Sequence, residues 1–354
     1  MLKLPVKSYK EQLEEMKNSG RGLAWQRGLT LFNSNGAIDS NTMGYEYTTQ
    51  TTTLIRARVR EQKFYEIPFA EYIPVIVGEG AYLENIKTNI EYQSAGDFES
   101  GLQSTSEDAR IATVSVGIAP ITTVINTWVK GYQYSDMEVE KALAADNWNP
   151  IEAKMRALKK NWDLGVQKIA FLGSYRDPTG TPGLLSNGQV TVNTAVIPTN
   201  ISSMSYTQFG TFVATVMNAY FQNSNDTVMP NTFEIPMSDY LGLITPINPQ
   251  FPNVSMLTYL EDAFRRVTQN PNFRIYPCAY GDAARNAGVW TSNGTYRYCL
   301  YRNDEETMTM DIPLPFVLRG PMSPNNFNWN GVAQGQYSGL IIFRVPEVIY
   351  FDHT

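Results

Sequence analysis

Between Glu79 and Gly117 the chain carries seven acidic residues, Glu79, Glu84, Glu91, Asp97, Glu99, Glu107 and Asp108, against only Lys87 and Arg110. Few large apolar side chains follow Tyr92, and a stretch so poor in apolar surface cannot build a core of its own. The expected shape is a long two-stranded excursion, and a lone hairpin is marginal in water unless it docks on something. The start of the chain poses the same problem. Ser8 and Glu11 spell a capping box ahead of a short helix, Tyr9 to Asn18, after which Gly20 to Thr53 is rich in Gly, Asn, Ser and Thr. That stretch reads as an arm rather than a domain. Two outlying limbs need a surface to rest on, and a neighbouring copy is the cheapest one.

Composition agrees. Charged residues make up 18% of the 354, below the ~25% of ordinary soluble domains, while 43% are apolar and 12% aromatic, 21 of them Tyr. A chain poor in charge and rich in Tyr has surface to hide, and large subunit interfaces hide it. With 28 Lys+Arg against 34 Asp+Glu the formal net charge is −6, which excludes a generally basic protein that coats nucleic acid.

Much catalytic chemistry is excluded too. The single His is His353, and the two Cys are Cys278 and Cys299, too few for a zinc site or a His-dependent nucleophile in a cleft. A Cys278–Cys299 bridge stays open beside the expected pair of free buried thiols. No phosphate-cradling Gly-x-x-x-x-Gly-Lys spelling occurs, and Asp304, Glu305 and Glu306 lack the alternating ligands of a calcium loop. No cofactor is expected. Carboxylate pairs such as Asp97 with Glu99, or Glu305 with Glu306, invite a carboxylate-dependent glycan hydrolase. Both sit in polar sequence, where a solvated face is the better reading. Met1 to Gly20 is charged throughout and has no apolar signal core. The uncharged run Ile111 to Val129 is long enough to suggest a membrane span, but its Thr, Ser and Asn content with Pro120 in the middle reads as two β-strands meeting at a Pro turn.

From Leu54 the period becomes two. Ile55, Ala57 and Val59 alternate with Arg56, Arg58 and Arg60, giving a strand with one apolar and one basic face. Ser135 to Glu138 caps a short helix, and Asn149, Pro150 and Glu152 start a longer one to Leu172, about 35 Å at 1.5 Å per residue. Ile151, Met155, Leu158, Trp162, Val166 and Ile169 form its apolar stripe; Lys154, Lys159 and Lys160 lie among its polar positions. Helices are expected at Tyr206 to Phe221 and Ser255 to Val267, and strands at Thr232 to Pro236, Arg274 to Tyr276, Asp311 to Leu318 and Gly339 to Phe351. The class is α+β with segregated elements.

The order of these segments resembles the major capsid proteins of tailed bacteriophages, the Hong Kong 97 fold. The likeness is most specific from Glu61 to Val190 and from Asp311 to Asp352. Gly131 to Glu140 is similar to the family's Tyr-x-Tyr-Ser-x-x-Glu-Leu entry into the first helix, with Val139 in place of Leu. Gly183, Leu184 and Leu185 match its Gly-Leu-Leu-Asn-x-Pro-x-Val turn, with Ser186 for Asn and Gly188 for Pro. The resemblance implies an N-terminal arm over residues 1–53 and an extended loop over 79–117. It implies a peripheral domain of 54–78, 118–203 and 311–354 with a long spine helix, and an axial domain over 204–310. It also implies copies gathered as pentamers and hexamers around double-stranded DNA, with a portal, possible scaffolding or decoration proteins, no membrane, assembly in the host cytoplasm and residence in the virion. An encapsulin-type nanocompartment shell is the alternative within the fold. The basic strip Arg56, Arg58, Arg60 and the acidic set Glu91, Asp97, Glu99, Glu107, Asp108 are complementary in sign and are expected to register one copy against another. Lys154, Lys159 and Lys160 are expected to face the lumen and touch DNA weakly.

Overall fold

A computed structural model describes residues 63–94, 114–144, 150–174, 176–177, 179–245, 255–289, 294–323 and 327–353. The expected helix Tyr9 to Asn18, the arm, and the Arg56 to Arg60 strip lie outside them. In chain order come β1 (Val75–Val77), β2 (Asn85–Ser94), β3 (Ser115–Ser135), α1 (Asp136–Ala144), α2 (Pro150–Leu172), β4 (Thr191–Asn193), α3 (Tyr206–Ser224) and β5 (Thr232–Pro236). Then follow α4 (Met256–Thr268), β6 (Arg274–Cys278), β7 (Tyr296–Tyr301), β8 (Met308–Ile312), β9 (Leu314–Met322), β10 (Asn328–Ser338), β11 (Leu340–Ile342) and β12 (Val348–His353). They form three sheets, ordered β1-β8-β11, β2-β3-β10-β9 and β4-β12-β7-β5-β6.

β3 corrects the expected Pro turn. It is one strand of 21 residues, about 70 Å at ~3.3 Å per residue. Its first half pairs antiparallel with β2, Ser94 opposite Ser115 through Asn85 opposite Val124. Its second half pairs with β10, Ile125 opposite Ser338 through Ser135 opposite Asn328. Pro120 sits opposite Asn89 in the half that is paired on one flank only. There a strand tolerates a residue without an amide donor, so Pro breaks nothing.

α2 lies on the inner face of this sheet. Trp162 packs its ring 5.4 Å from that of Trp128 and 6.1 Å from that of Tyr337. The position beneath must be Gly335, because a Cβ there would come within 2.4 Å of the Trp162 ring. The expected stripe is the buried one: Leu158, Trp162 and Val166 are buried and Ile151, Met155 and Ile169 half-buried. Fully burying each such side chain contributes about 2 kcal/mol. α1 is capped as the spelling implied, Glu138 N donating to Ser135 Oγ at 3.3 Å.

The five-stranded sheet separates two cores. On one face Phe233, Ile235, Leu300, Ile349 and Phe351 pack with Phe209, Val216 and Tyr220 of α3 and Leu260 and Phe264 of α4. On the other, Cys278, Cys299, Tyr301 and Tyr350 pack with Phe171 and Leu172 of α2, Leu184, Leu185 and Tyr72. A sheet covered on both sides is buried along whole strands, which is why every residue of β5 and β12 except His353 is inaccessible. Ser205 and Gln208 complete a capping box on α3, and Ser255 caps α4.

Two expected strands are each split. Asp311 to Leu318 becomes the end of β8 and the start of β9, in different sheets, with Pro313 at the break. Gly339 to Phe351 becomes β11, a 3₁₀ turn with Pro at its start, and β12. Apolar runs hid both breaks, because Pro interrupts pairing without interrupting hydrophobicity. β12 pairs antiparallel with β7 and parallel with β4, which places it inside the five-stranded sheet.

Candidate functional site

The Gly-Leu-Leu turn is where the two cores are tied. The Leu184 and Leu185 amides donate to Ala170 O and Phe171 O at 2.8 Å, satisfying carbonyls that the last turn of α2 would leave orphaned. In return Leu184 O accepts from Tyr350 Oη and Leu185 O from Arg297 Nη1, both at 2.5 Å. Arg297 is itself held by Asp352 at 2.8 and 2.6 Å, nearly out of reach of water. Gly183 is obligatory, since a Cβ would meet Gly173 N and the Phe171 carbonyl at 2.4–2.6 Å. The turn therefore links the C-terminus of α2 to β7 and β12.

In β5, Glu234 lies fully buried, and among the described residues its carboxyl has no polar neighbour placed to bond it other than the weak Cys278 thiol. Burial pushes its pKa up to about 8, the nearby Cys278 thiol offsetting part of the rise. Nothing in the sequence marks this acid, which sits in an apolar strand. Cys299 lies opposite Glu234 and Cys278 opposite Pro236, on either flank of β5. Two strand spacings, about 10 Å, separate the thiols, too far for a disulfide. Both are free and buried.

The excursion stands as a paired ribbon. Antiparallel pairing puts opposed residues on one face, so Val116, Ile118 and Val124 share a face with Glu91, Lys87 and Asn85. Ile118 is 70% exposed and Glu91 is exposed. The opposite face carries Ile86, Thr88 and Ile90 with Ile121, Thr123 and Ile125, half-buried or buried. At the root, Tyr82 N donates to Gln336 Oε1 at 2.7 Å and Ile125 N to Glu84 O at 2.9 Å. Asp97, Glu99, Glu107 and Asp108 lie outside the described residues, as do Arg56, Arg58 and Arg60, so of the expected charge pairing Glu91 alone is placed.

The three lysines of α2 do not share a face. At ~100° per residue Lys154, Lys159 and Lys160 point to three sides of the helix. Lys154 Nζ donates to Glu138 at 2.7 and 2.8 Å and to Gln133 O at 2.8 Å. Lys160 pairs with Glu66 and lies 5.8 Å over the Phe64 ring. Lys159 is exposed and makes no ion pair among the described residues.

One cluster escaped the sequence altogether. A groove of about 500 Å³ runs between the outer face of the β1-β8-β11 sheet and the base of β2, lined among others by Glu79, Asp311, Glu305, Lys87, Ile76 and Ile86. Asp311 is only 7% exposed. Burial, and then the charge of Glu79, hold its carboxyl above the usual carboxylate range. Its parts come from β1 and β8, paired Ile76 to Asp311 across most of the chain, which no local pattern announces.

No convergent acid pair of the kind a glycan hydrolase needs is seen at Glu305 and Glu306: Glu306 accepts from Arg344 at 2.8 Å and Glu305 is exposed. Among the described residues no helix is long and apolar enough to cross a membrane, and no three His, Cys, Asp or Glu gather as metal ligands.

A helix laid on a long sheet, a protruding ribbon and a second sheet-and-helix lobe make the architecture of a shell-forming subunit of Hong Kong 97 type. Residues 103–353 match the major capsid protein family, and the chain belongs to it. It is a structural protein of a virion shell, not an enzyme. No curated protein sequence matches it significantly. The fold is similar to that of the capsid of Myoviridae phage XM1, at 15% identity and TM-score 0.71, covering 90% of this chain and 100% of that one. It is also similar to a chain of Mycobacterium phage Ogopogo, at 12% identity, TM-score 0.56 and coverage of 88% and 99%. A third is the asymmetric unit of the bacteriophage PhiM1 mature capsid, at 11%, 0.51, and 85% and 91%.

Proposed function

We propose that copies of this capsid subunit close into an icosahedral head around double-stranded DNA, assembled in the host cytoplasm, with a portal and separate scaffolding or decoration proteins as further partners. The observation that carries the reading is the exposed ribbon of β2 and β3: an apolar row of Val116, Ile118 and Val124 on a two-stranded limb needs a covering surface that the described residues of one copy do not supply. In this reading residues 1–53 are the arm and 79–117 the loop lapping a neighbour. Residues 54–78, 118–203 and 311–354 form the peripheral part, and 204–310 the axial part. The strip Arg56, Arg58, Arg60 meets acidic surface on an adjacent copy. Of the three lumen lysines, the ion pairs of Lys154 and Lys160 leave Lys159 the best placed for weak, salt-sensitive contact with phosphate.

Negative-stain microscopy and sedimentation of the purified chain test this. Closed particles of uniform size are the expected result, and a compact species that never exceeds a small oligomer overturns it. The contents of particles from infected cells separate a head from an encapsulin-type compartment: double-stranded DNA marks the first, an enclosed enzyme the second.

A further inference from the structure

We propose that the acidic groove between the β1-β8-β11 sheet and the base of β2 receives the arginine face of Leu54 to Arg60 from a second copy of the chain. The inference rests on the reading of the chain as a shell subunit and names the acceptor for its basic strip.

Three carboxylates, Glu79, Asp311 and Glu305, line the groove against a single cation, Lys87. Asp311 is the unusual one. β8 alternates so that Met308, Met310 and Ile312 enter the core while Thr309 and Asp311 face the groove. Asp311 is 7% exposed, yet its carboxylate has no ion-pair or hydrogen-bond partner among the described residues; its own amide is satisfied by Ser338 Oγ at 2.9 Å. Its carboxylate meets water only through the groove and stands beside a second one, so a cation that docks there gains from both. A guanidinium suits the place, since its planar fork binds carboxylate in two parallel hydrogen bonds and sheds water more readily than an ammonium. Arg56, Arg58 and Arg60 recur at period two, so an extended segment presents all three on one face, and a groove between a sheet and a ribbon has the shape to hold it.

The donor is another copy because of where the chain enters. Ile67 and Phe69 pack against the core on the inner face of the β1-β8-β11 sheet. Glu66 is held by Lys160 and the Ile67 amide by Gln167 Oε1 at 3.0 Å. The described chain thus begins on the core side of this sheet, opposite the face that Thr309 and Asp311 turn to the groove, so a strip supplied by a second copy meets no chain already lying there among the described residues. Docked from a neighbour, the arginines would join β8 to the root of the ribbon and fix its direction.

Charge exchange tests it. Reversing the arm (R56E/R58E/R60E) and, separately, the groove rim (E79K/E305K) should each lower particle yield about tenfold or more, with the lone subunit's circular dichroism unchanged. Carrying both sets in one chain should restore yield to within about threefold, and mixing the two separate variants should recover particles containing both. D311N, which removes the groove's central charge without reversing it, should lower yield and flatten its dependence on salt. If the combined chain assembles no better than the worse parent, or D311N matches wild type in yield and salt dependence, the groove is not the acceptor. If the combined chain recovers but the mixture does not, the contact lies within one copy and the inference fails. Wild-type particles in the same experiment separate these outcomes from a failure of the shell reading itself, which would show as no particles from any chain.

Discussion

In β5 all five residues are buried, and in β7 all but Tyr296; in β3 the first four residues are all exposed, Val116 and Ile118 among them. The five-stranded sheet has a helix pair over one face and the end of α2 over the other, so a single copy completes it. Among the described residues the ribbon's Ile118 face stays open, with Val116, Ile118 and Val124 all exposed. One region carries the stability of the subunit, the other carries its unmet contacts, and mutations should divide along that line. Changes in the sheet should act on the lone subunit, and changes in the ribbon on the particle.

The largest effect expected of the sheet is on pH dependence, through Glu234. The groups facing it are Cys278 on β6, Cys299 and Tyr301 on β7, Tyr350 on β12, and Tyr65 and Tyr72 before β1. These are all acids that add no positive charge. The folded carboxyl holds its proton until about pH 8 against an ordinary value of 4.5. Between those values the unfolded chain has lost a proton that the folded one keeps, so stability falls as pH rises, by about 1.4 kcal/mol per unit, and levels off above 8. Urea unfolding from pH 5 to 9 should show this slope in wild type relative to E234Q. Parallel curves would mean that the acid is not held neutral.

Next in size, F264A should cost about 3–5 kcal/mol in the same unfolding experiment. Phe264 is fully buried, its ring 4.8 Å from Phe273 and 5.5 Å from Phe233. A cost under 1 kcal/mol would show that the α4 side of the sheet is not a packed core. G335A probes the other layer. The added Cβ must push the Trp162 ring off the sheet, for about 1–3 kcal/mol, read as a lower urea midpoint together with a shifted tryptophan emission.

What the sequence made legible follows from range. The start and stripe of α2, the Ser135 cap and the paired ribbon are all spelled within a few turns or one alternation, where local chemistry decides the outcome. The groove is different in kind, because Asp311 meets Ile76 and the base of β2 only once β1 and β8 have paired in parallel. Glu234 was illegible for a related reason: a single acid in an apolar strand looks like an edge residue until both faces of the sheet are found covered. Pro120 misled because a proline in a one-sided strand and a proline in a turn have the same local spelling, and the partner strand alone distinguishes them.

The smallest effect on the lone subunit is the one that sharpens the comparison most. Ile118 is 70% exposed and opposite Glu91, so I118S should change unfolding free energy by under about 0.5 kcal/mol, as surface substitutions do. If the ribbon's apolar row is covered by a neighbour, the same change leaves a hydroxyl where an apolar contact was made in every copy of the shell, and particle yield should drop about tenfold or more while the subunit melts unchanged. Because a shell multiplies one weakened contact over many identical interfaces, a near-neutral result in the subunit with a large one in the particle would locate the missing surface on a sister copy. A matched, small effect in both would place the ribbon in solvent and remove the distinction between the two regions.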